Sequence, residues 1–140
     1  MTHTIKIDDE VFTFNASSED ETQLISNIIT DLITKSGFVN LDAQDVHAII
    51  DGADKLIAAQ STASGENRSK KAALEVSKDI MNAKNLLLEI ETGDEVTLVE
   101  MAQAAEIIEK VAEHDAQVIW GHVINEELGE KFTVKIIAVI

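Results

Sequence analysis

The stretch Asn85-Leu-Leu-Leu-Glu-Ile90, followed by Thr92 and Gly93, decides the fold of this chain. Its apolar residues are nearly continuous and do not alternate with polar ones. A strand with one face in water alternates apolar and polar side chains, whereas a strand covered on both faces carries a continuous apolar run. Residues 85–90 therefore predict a strand that lies between two layers of other elements.

A strand and a helix precede this stretch, and a second helix follows it. Residues 56–62 predict the strand, and the turn Ser64-Gly-Glu-Asn67 opens a helix that reaches about residue 80. Thr97 is the expected N-cap of the helix that follows, which reaches about residue 113. Its apolar stripe is expected at Leu98, Met101, Ala105, Ile108 and Ala112.

The N-terminal part of the chain predicts a hairpin and two helices. Residues 1–15 contain two short β-type runs around an acidic turn. Residues 18–36 carry a single apolar stripe at helical spacing, so the opposite face, which includes Asp31, is expected to face water. Gly37 is the expected stop of this helix, and a short helix is expected at residues 42–51.

Two more strands complete the pattern, at residues 117–124 and 132–140. The turn between them contains Gly129, which is free to adopt a positive φ. The order of elements predicts an α+β fold in which helices pack on a mainly four-stranded sheet, with the hairpin as an N-terminal addition. We expect residues 1–140 to form one domain, with residues 37–140 as its α+β core.

Composition narrows the classes of function. The chain has 140 residues, no cysteine, no proline and a formal net charge of −15. Such a charge repels nucleic acid and anionic lipid, so neither is an expected partner. The first residues lack the basic and apolar regions of a secretory signal, and a cytoplasmic location is expected.

Three separated segments resemble the C-terminal half of FtsZ, a GTPase of the tubulin type. They are Gly37-Phe-Val-Asn-Leu-Asp-Ala-Gln-Asp-Val46, Ala63-Ser-Gly-Glu-Asn-Arg68, and Ala83-Lys-Asn-Leu-Leu-Leu-Glu-Ile90 with the Thr and Gly that follow. Ser36 stands where the family commonly has proline, and Glu89 stands where it usually has asparagine. The resemblance extends in order and spacing from about residue 20 onward, and it implies the fold of that half.

The resemblance also implies a mechanism in trans. In FtsZ filaments, GTP sits on one subunit, and a loop of the next subunit completes the hydrolytic site. Carried over to this sequence, the catalytic residues of that loop are Asn40, Asp42 and Asp45. The residues implied at the interface with the partner are Phe38, Val39, Leu41 and Arg68. GTP and Mg²⁺ are then expected only at a joint site with an FtsZ-like partner, or with another copy of this chain.

The chemistry of these residues suits that role, and it also has a structural alternative. Carboxylates at a spacing of three, such as Asp42 and Asp45, lie on one side of a helix start and can orient or deprotonate water. The amide of Asn40 can donate and accept hydrogen bonds. The alternative is that Asn40 or Asp42 is an N-cap and Asp45 completes a capping box.

The nucleotide-binding half is not recognisable in this sequence. FtsZ and tubulin hold phosphate on a glycine-rich loop, but the six glycines here are isolated, and we expect no GTP binding by this chain alone. A natural one-domain relative and a fragment of a longer protein are both conceivable. The uniformly polar face of the helix at residues 18–36 favours the one-domain relative.

The remaining candidate residues favour structural roles. The four histidines, His3, His47, His114 and His122, are scattered and predict surface or half-buried positions, with no metal site. Trp120, Met81 and Met101 are expected in the core.

Three classes of function compete on this basis. The first is an interaction domain that docks on an FtsZ-like partner to cap, regulate or trans-activate it. The second is a self-assembling or small-ligand-binding module, with residues 86–90 and 132–140 as strands that could pair at sheet edges. An independent enzyme ranks last, because no nucleophile–base pair is visible.

Overall fold

The computed structural model describes residues 2–140, which form six strands, four helices and one short 3₁₀ turn. The strands are β1 (Thr2–Ile7), β2 (Glu10–Asn15), β3 (Leu56–Ala63), β4 (Asn85–Thr92), β5 (Gln117–Ile124) and β6 (Phe132–Val139). The helices are α1 (Glu19–Thr34), α2 (Ala43–Ile50), α3 (Arg68–Ser77) and α4 (Leu98–Val111). The predicted α+β class and the predicted N-terminal hairpin are both confirmed.

The main sheet has the strand order β3-β6-β4-β5. β6 runs antiparallel to both β3 and β4, and β5 runs parallel to β4. Because β4 and β6 are the inner strands, the suggestion that residues 86–90 and 132–140 pair with another copy at a sheet edge is wrong. The edges are β3 and β5.

Helices cover both faces of this sheet. Leu86, Leu88 and Ile90 of β4 pack with α3 and α4 on one face, whereas Leu87 packs with α1, α2 and the hairpin on the other. Successive side chains of a strand point to opposite faces of the sheet. A strand with consecutive apolar residues, as at Leu86–Leu88, must therefore have both faces covered. The reasoning from residues 85–90 is therefore confirmed.

The hairpin belongs to the second of these cores. Phe12 of β2 is fully buried and stacks on His47 of α2, with ring centroids 4.4 Å apart. Burial of an aromatic side chain of this size contributes roughly 1.5–3 kcal/mol. β1 and β2 thus help to hold α2, whose N-terminus carries the candidate catalytic residues.

Several predicted core positions are wrong. Leu98 is 61% exposed, because it is the first residue of α4 and the buried stripe begins one turn later at Met101. Met81 is 60% exposed, because α3 ends at Ser77 and not near residue 80. The expectation for Trp120 is confirmed in part: it lies on the edge strand β5 and is half-buried, but it packs against the core that α3 and α4 form with the sheet. Among residues 2–140, no helix is both long and apolar enough to cross a bilayer.

Candidate functional site

The segment at residues 36–42, here called the 36–42 loop, lies along the outer edge of β5. The N–H of His122 donates to the carbonyl of Val39 at 2.7 Å, and the N–H of Ile124 donates to the carbonyl of Ser36 at 3.0 Å. These two bonds extend the sheet hydrogen bonding beyond its edge strand at this end. The loop is thereby fixed to the rigid part of the domain before it reaches α2.

The side chain of His122 is a second anchor for the loop. It is buried, and its Nδ1 accepts the N–H of Phe38 at 3.0 Å while its Nε2 lies 2.8 Å from Thr92 Oγ1. Thr92 Oγ1 donates its single proton to the carbonyl of Gly93 at 2.6 Å, so Nε2 must be the donor to Thr92. The hydrogen bonds therefore assign the neutral tautomer with its proton on Nε2. Burial lowers the pKa of His122, in keeping with that neutral form.

This arrangement corrects the expectation for His122, which was predicted on the surface or half-buried. The neutral imidazole needs no charged partner, because Nδ1 accepts one hydrogen bond and Nε2 donates the other. The contact with Phe38 joins residues 84 apart in sequence.

Gly37 is required by close packing and does not stop α1, which ends at Thr34. A Cβ at Gly37 would lie 2.1 Å from the carbonyl oxygen of His122, which is a severe clash. The loop can approach β5 this closely only with glycine here. Phe38 then stacks on the His122 ring with centroids 5.3 Å apart, yet it remains 57% exposed.

The predicted catalytic residues lie at the end of the loop and the start of α2. Asn40 closes the loop on itself, because its Oδ1 accepts the N–H of Gly37 at 2.9 Å and its Nδ2 donates to the Gly37 carbonyl at 3.0 Å. Asp42 is the N-cap of α2, and Asp42 and Asp45 form a capping box. Asp42 Oδ1 accepts the N–H of Asp45 at 3.1 Å, and Asp45 Oδ2 accepts the N–H of Asp42 at 3.0 Å.

The capping box uses only one oxygen of each carboxylate. Within residues 2–140, Asp42 Oδ2 and Asp45 Oδ1 have no hydrogen-bond partner. Asp42 and Asn40 are exposed, and Asp45 is half-buried. These oxygens fit a role beside a Mg²⁺-bound phosphate, because carboxylate oxygens bind Mg²⁺ directly or accept hydrogen bonds from its bound waters. Their catalytic role stays a prediction.

The four implied interface residues differ in how accessible they are. Phe38 projects from the surface, whereas Val39 is half-buried and its carbonyl is bonded to β5. Leu41 is half-buried against Gly121, where a Cβ would lie 2.9 Å from Leu41 Cγ. Among Phe38, Val39 and Leu41, Phe38 is therefore the side chain most accessible to another protein.

Arg68 is engaged within the chain. Its guanidinium donates to both oxygens of Glu100, at 2.6 and 2.9 Å, and to the carbonyls of Glu95 and Glu130 at 2.9 and 2.7 Å. The hydrogen bond with Glu100 raises the pKa of Arg68. Arg68 thus joins the start of α3 to α4 and to two loops, and any contact with a partner stays a prediction.

A charged cluster that sequence reasoning missed lies under the last turns of α1. Asp31 of α1, Glu89 and Glu91 of β4 and Lys135 of β6 face one another on the α1 side of the sheet. The ammonium of Lys135 lies 2.8 Å from Glu91 Oε1 but 3.8 Å from Asp31 Oδ2 and 3.9 Å from Glu89 Oε2. The face of α1 that includes Asp31 was expected in water. At this position that expectation is wrong, because Asp31 covers the polar end of the sheet.

Glu89 is the unusual member of this cluster. It is 0% exposed, and neither of its carboxylate oxygens has a hydrogen-bond partner. Burial raises the pKa of Glu89 to about 9, even though Lys135 opposes the shift. Hydrogen bonds from Lys135 and Asn125 outweigh burial at Glu91 and hold the pKa of that carboxyl below its usual value. One signal pointed here, since Glu89 replaces the asparagine that is usual in the resembled family.

Comparisons with known proteins agree with this architecture. Residues 56–139 match the family described as "FtsZ family, C-terminal domain". An FtsZ dimer from M. jannaschii is similar to this chain with a TM-score of 0.76 and 24% identity, over 82% of this chain and 35% of that one. A protofilament of TubZ from Bacillus thuringiensis serovar israelensis, in its GTPγS form, is similar with a TM-score of 0.64 and 10% identity, over 84% of this chain and 33% of that one.

The likeness to these two solved structures, at such low identity, shows the fold alone. The chain spans about a third of the length of the structures that it matches.

Proposed function

This chain belongs to the FtsZ family, through that family's C-terminal domain, and from this premise we propose that it acts in the assembly of FtsZ- or tubulin-type filaments. It docks through the 36–42 loop on a partner subunit that holds the nucleotide. Residues 1–140 contain no glycine-rich phosphate loop, so the GTP comes with the partner. The consequence of docking is a capped or regulated filament, with the partner's GTPase stimulated in trans.

The observation that carries this proposal is the rigid presentation of the 36–42 loop. Two sheet-type hydrogen bonds and the side chain of His122 hold its backbone, while Phe38, Asn40 and Asp42 remain exposed. A loop that is already held in one conformation loses little conformational entropy on docking. Support also comes from the two similar proteins, which were solved as a dimer and as a protofilament.

The unused carboxylate oxygens of Asp42 and Asp45 carry the proposed chemistry. Each can accept a hydrogen bond from a water molecule and so orient it for in-line attack on phosphorus. Mg²⁺, bound with the nucleotide, would neutralise charge on the phosphates. Phe38 gives the loop an apolar anchor, because an exposed aromatic ring buries a large area in a partner's pocket.

The first test adds the purified chain to an FtsZ-type GTPase from the same genome. Phosphate release and light scattering are followed with GTP present, at ratios from substoichiometric to a few-fold excess. We expect both signals to change, and to reach a plateau near equimolar chain. No change in either signal at a clear excess would remove the proposal.

Asparagine variants separate catalysis from capping. Asn caps a helix about as well as Asp does, so Asp42→Asn and Asp45→Asn keep the acceptor oxygen of the capping box and remove the negative charge. We expect each to abolish the stimulated phosphate release while the scattering change persists. Asp115→Asn, an exposed position after α4, is the matched control and should behave like the parent chain.

Self-association is the second candidate function, and the open edge of the sheet favours it. β3 pairs on one side only, with β6. One of its outward N–H groups, that of Ala58, is covered by the carboxylate of Glu21 at 3.3 Å. Exposed backbone further along an edge strand is a surface on which a second copy can add a strand. Light scattering coupled to size exclusion decides this, because a stable oligomer supports it and a monomer at high concentration excludes it.

A further inference from the structure

We propose that Asp31, Glu89 and Glu91 form a binding site for a divalent cation that ties α1 to the central strand β4. This site lies between a helix and the sheet and shares no residue with the 36–42 loop. It needs neither GTP nor a partner subunit, so it stands apart from the proposed function.

The geometry of the three carboxylates fits a single ion. One oxygen from each lies within 4.8 Å of the others. Two ligands on opposite sides of Ca²⁺, at bond lengths of about 2.4 Å, are separated by about 4.8 Å, and adjacent ligands are closer. Carboxylate oxygens are the donors that hard divalent cations such as Ca²⁺, Mn²⁺ and Mg²⁺ prefer. The three groups can therefore coordinate one ion with small movements of their side chains.

Glu89 supplies the second, independent reason to expect a ligand. Its two carboxylate oxygens are buried, face the cluster, and lack any hydrogen-bond donor. The ammonium of Lys135 is 3.9 Å from Glu89 Oε2, which is too far for a hydrogen bond. Buried polar atoms in folded proteins almost always have a partner, and a bound ion is one of the few explanations for one that has none.

The balance of charge also favours a divalent ion. Three carboxylates and the half-buried Lys135 leave two negative charges in the cluster when all are ionised. Lys35 also approaches Asp31 Oδ1 at 3.1 Å, but it is more than half exposed, so solvent screens its charge. A divalent ion compensates the two remaining charges, and uncompensated charge at such depth is strongly unfavourable.

The neighbouring residues prepare the site for an ion. Asn125 Nδ2 donates to Glu91 Oε2 at 2.9 Å and fixes the orientation of that carboxylate. Asp31 retains some exposure, so an ion and its waters can enter from the α1 side. The 36–42 loop begins five residues after Asp31, so the bound ion would also stiffen the helix end from which the loop departs.

Binding is tested on chelator-treated chain with the metal ions alone. Calorimetric titration with Ca²⁺ and with Mg²⁺ should detect one saturable site per chain. In Glu89→Gln and in Asp31→Asn the affinity should fall at least about tenfold, because each change removes a carboxyl group that is ionised when it coordinates the ion. Asp31→Asn is the variant expected to fold without difficulty, since Asn has nearly the size of Asp and since Asp31, unlike Glu89, retains some exposure. Glu109→Gln, exposed on α4, loses the same charge away from the cluster and should bind like the parent chain.

Paramagnetic Mn²⁺ locates the site without reference to any activity. At substoichiometric Mn²⁺, we expect the amide signals near residues 31, 89, 91 and 135 of the ¹⁵N-labelled chain to broaden first. The proposal is overturned if no saturable site is found. It is also overturned if the broadening begins at exposed acidic loops, or if Glu89→Gln and Asp31→Asn bind as tightly as the parent chain.

Discussion

The substitution Glu89→Gln tests whether the buried carboxyl holds a proton when no metal is present. Gln has nearly the same shape as a protonated Glu, but it cannot ionise. The charged groups that face Glu89 are Asp31 on α1, Glu91 on β4 and Lys135 on β6. Burial, opposed by Lys135, raises the pKa of Glu89 from 4.5 to about 9 in the folded chain.

The direction in which the free energy of unfolding changes with pH depends on how many protons the folded and unfolded chains bind. Between pH 4.5 and 9 the unfolded chain has Glu89 ionised, whereas the folded chain keeps it neutral. The folded state therefore binds one more proton, and its free energy of unfolding falls as the pH rises, by about 1.4 kcal/mol per pH unit. Below pH 4.5 the group is neutral in both states and contributes no pH dependence. From pH 5 to pH 8 the loss sums to roughly 4 kcal/mol.

The assay is urea unfolding of the parent chain and of Glu89→Gln between pH 5 and pH 8, with a chelator present. The quantity that matters is the difference in free energy of unfolding between the two, because other titrating groups largely cancel in it. A constant offset reflects how well the Gln amide fits the pocket, and only the slope reports the proton. The parent chain should lose stability relative to the variant as the pH rises.

The control is again Glu109→Gln, whose difference from the parent chain should be flat with pH. A flat difference for Glu89→Gln as well would refute the reasoning. That result would mean that Glu89 is ionised in the folded chain near pH 5 and is paired with Lys135 despite the distance of 3.9 Å.

Three further predictions concern the loop and the Arg68 contact. Because burial lowers the pKa of His122 from 6.5, its contribution to stability is present above that pH and is lost as the pH falls below it. The Phe38 amide signal should shift in that range, and titration of His122 at or above 6.5 would contradict this. Gly37→Ala should cost about 3 kcal/mol or more in urea unfolding, because its Cβ would lie 2.1 Å from the backbone carbonyl oxygen of His122. Gly52→Ala, with φ of +78° but open space, should cost only about 1–2 kcal/mol of backbone strain. Equal costs would argue against the clash. Arg68→Lys should cost about 2 kcal/mol, because lysine cannot reproduce the forked hydrogen bonds, and a change below 0.5 kcal/mol would show that the fork matters little.

The fold was predictable to the extent that it depends on local patterns. Three local patterns predicted their elements correctly. The apolar run that begins at Asn85 forms β4, Thr97 caps α4, and Gly129 has the positive φ of a turn residue. Errors occurred where an element ends, as at Met81 and Leu98. There the sequence still has an apolar residue at the right spacing, but the backbone has already left the helix or not yet entered the buried stripe.

The candidate site was predictable only in part, for a different reason. The candidate catalytic residues lie within six positions of one another, so one short stretch of sequence is enough to suggest them. The roles of His122 and Glu89 depend on partners that are distant in sequence, such as Phe38 for His122 and Asp31 for Glu89. The spacing of apolar residues and the types of residue do not indicate which residues distant in sequence will be in contact. Only the attachment of the 36–42 loop to β5 and the position of α1 on the sheet bring them together.

Capping and catalysis are often treated as competing roles for a carboxylate at a helix start, but at Asp42 and Asp45 they are compatible. One oxygen of each carboxylate accepts a hydrogen bond from a backbone N–H, and this bond holds the carboxylate in a single orientation. The other oxygen is then aimed without further loss of side-chain entropy, which is the condition for a group that must position water accurately. An uncapped Asp at the same place would sample several rotamers. In the proposed function, the capping box is therefore the feature that would hold these two carboxylates ready for a phosphate carried by another molecule.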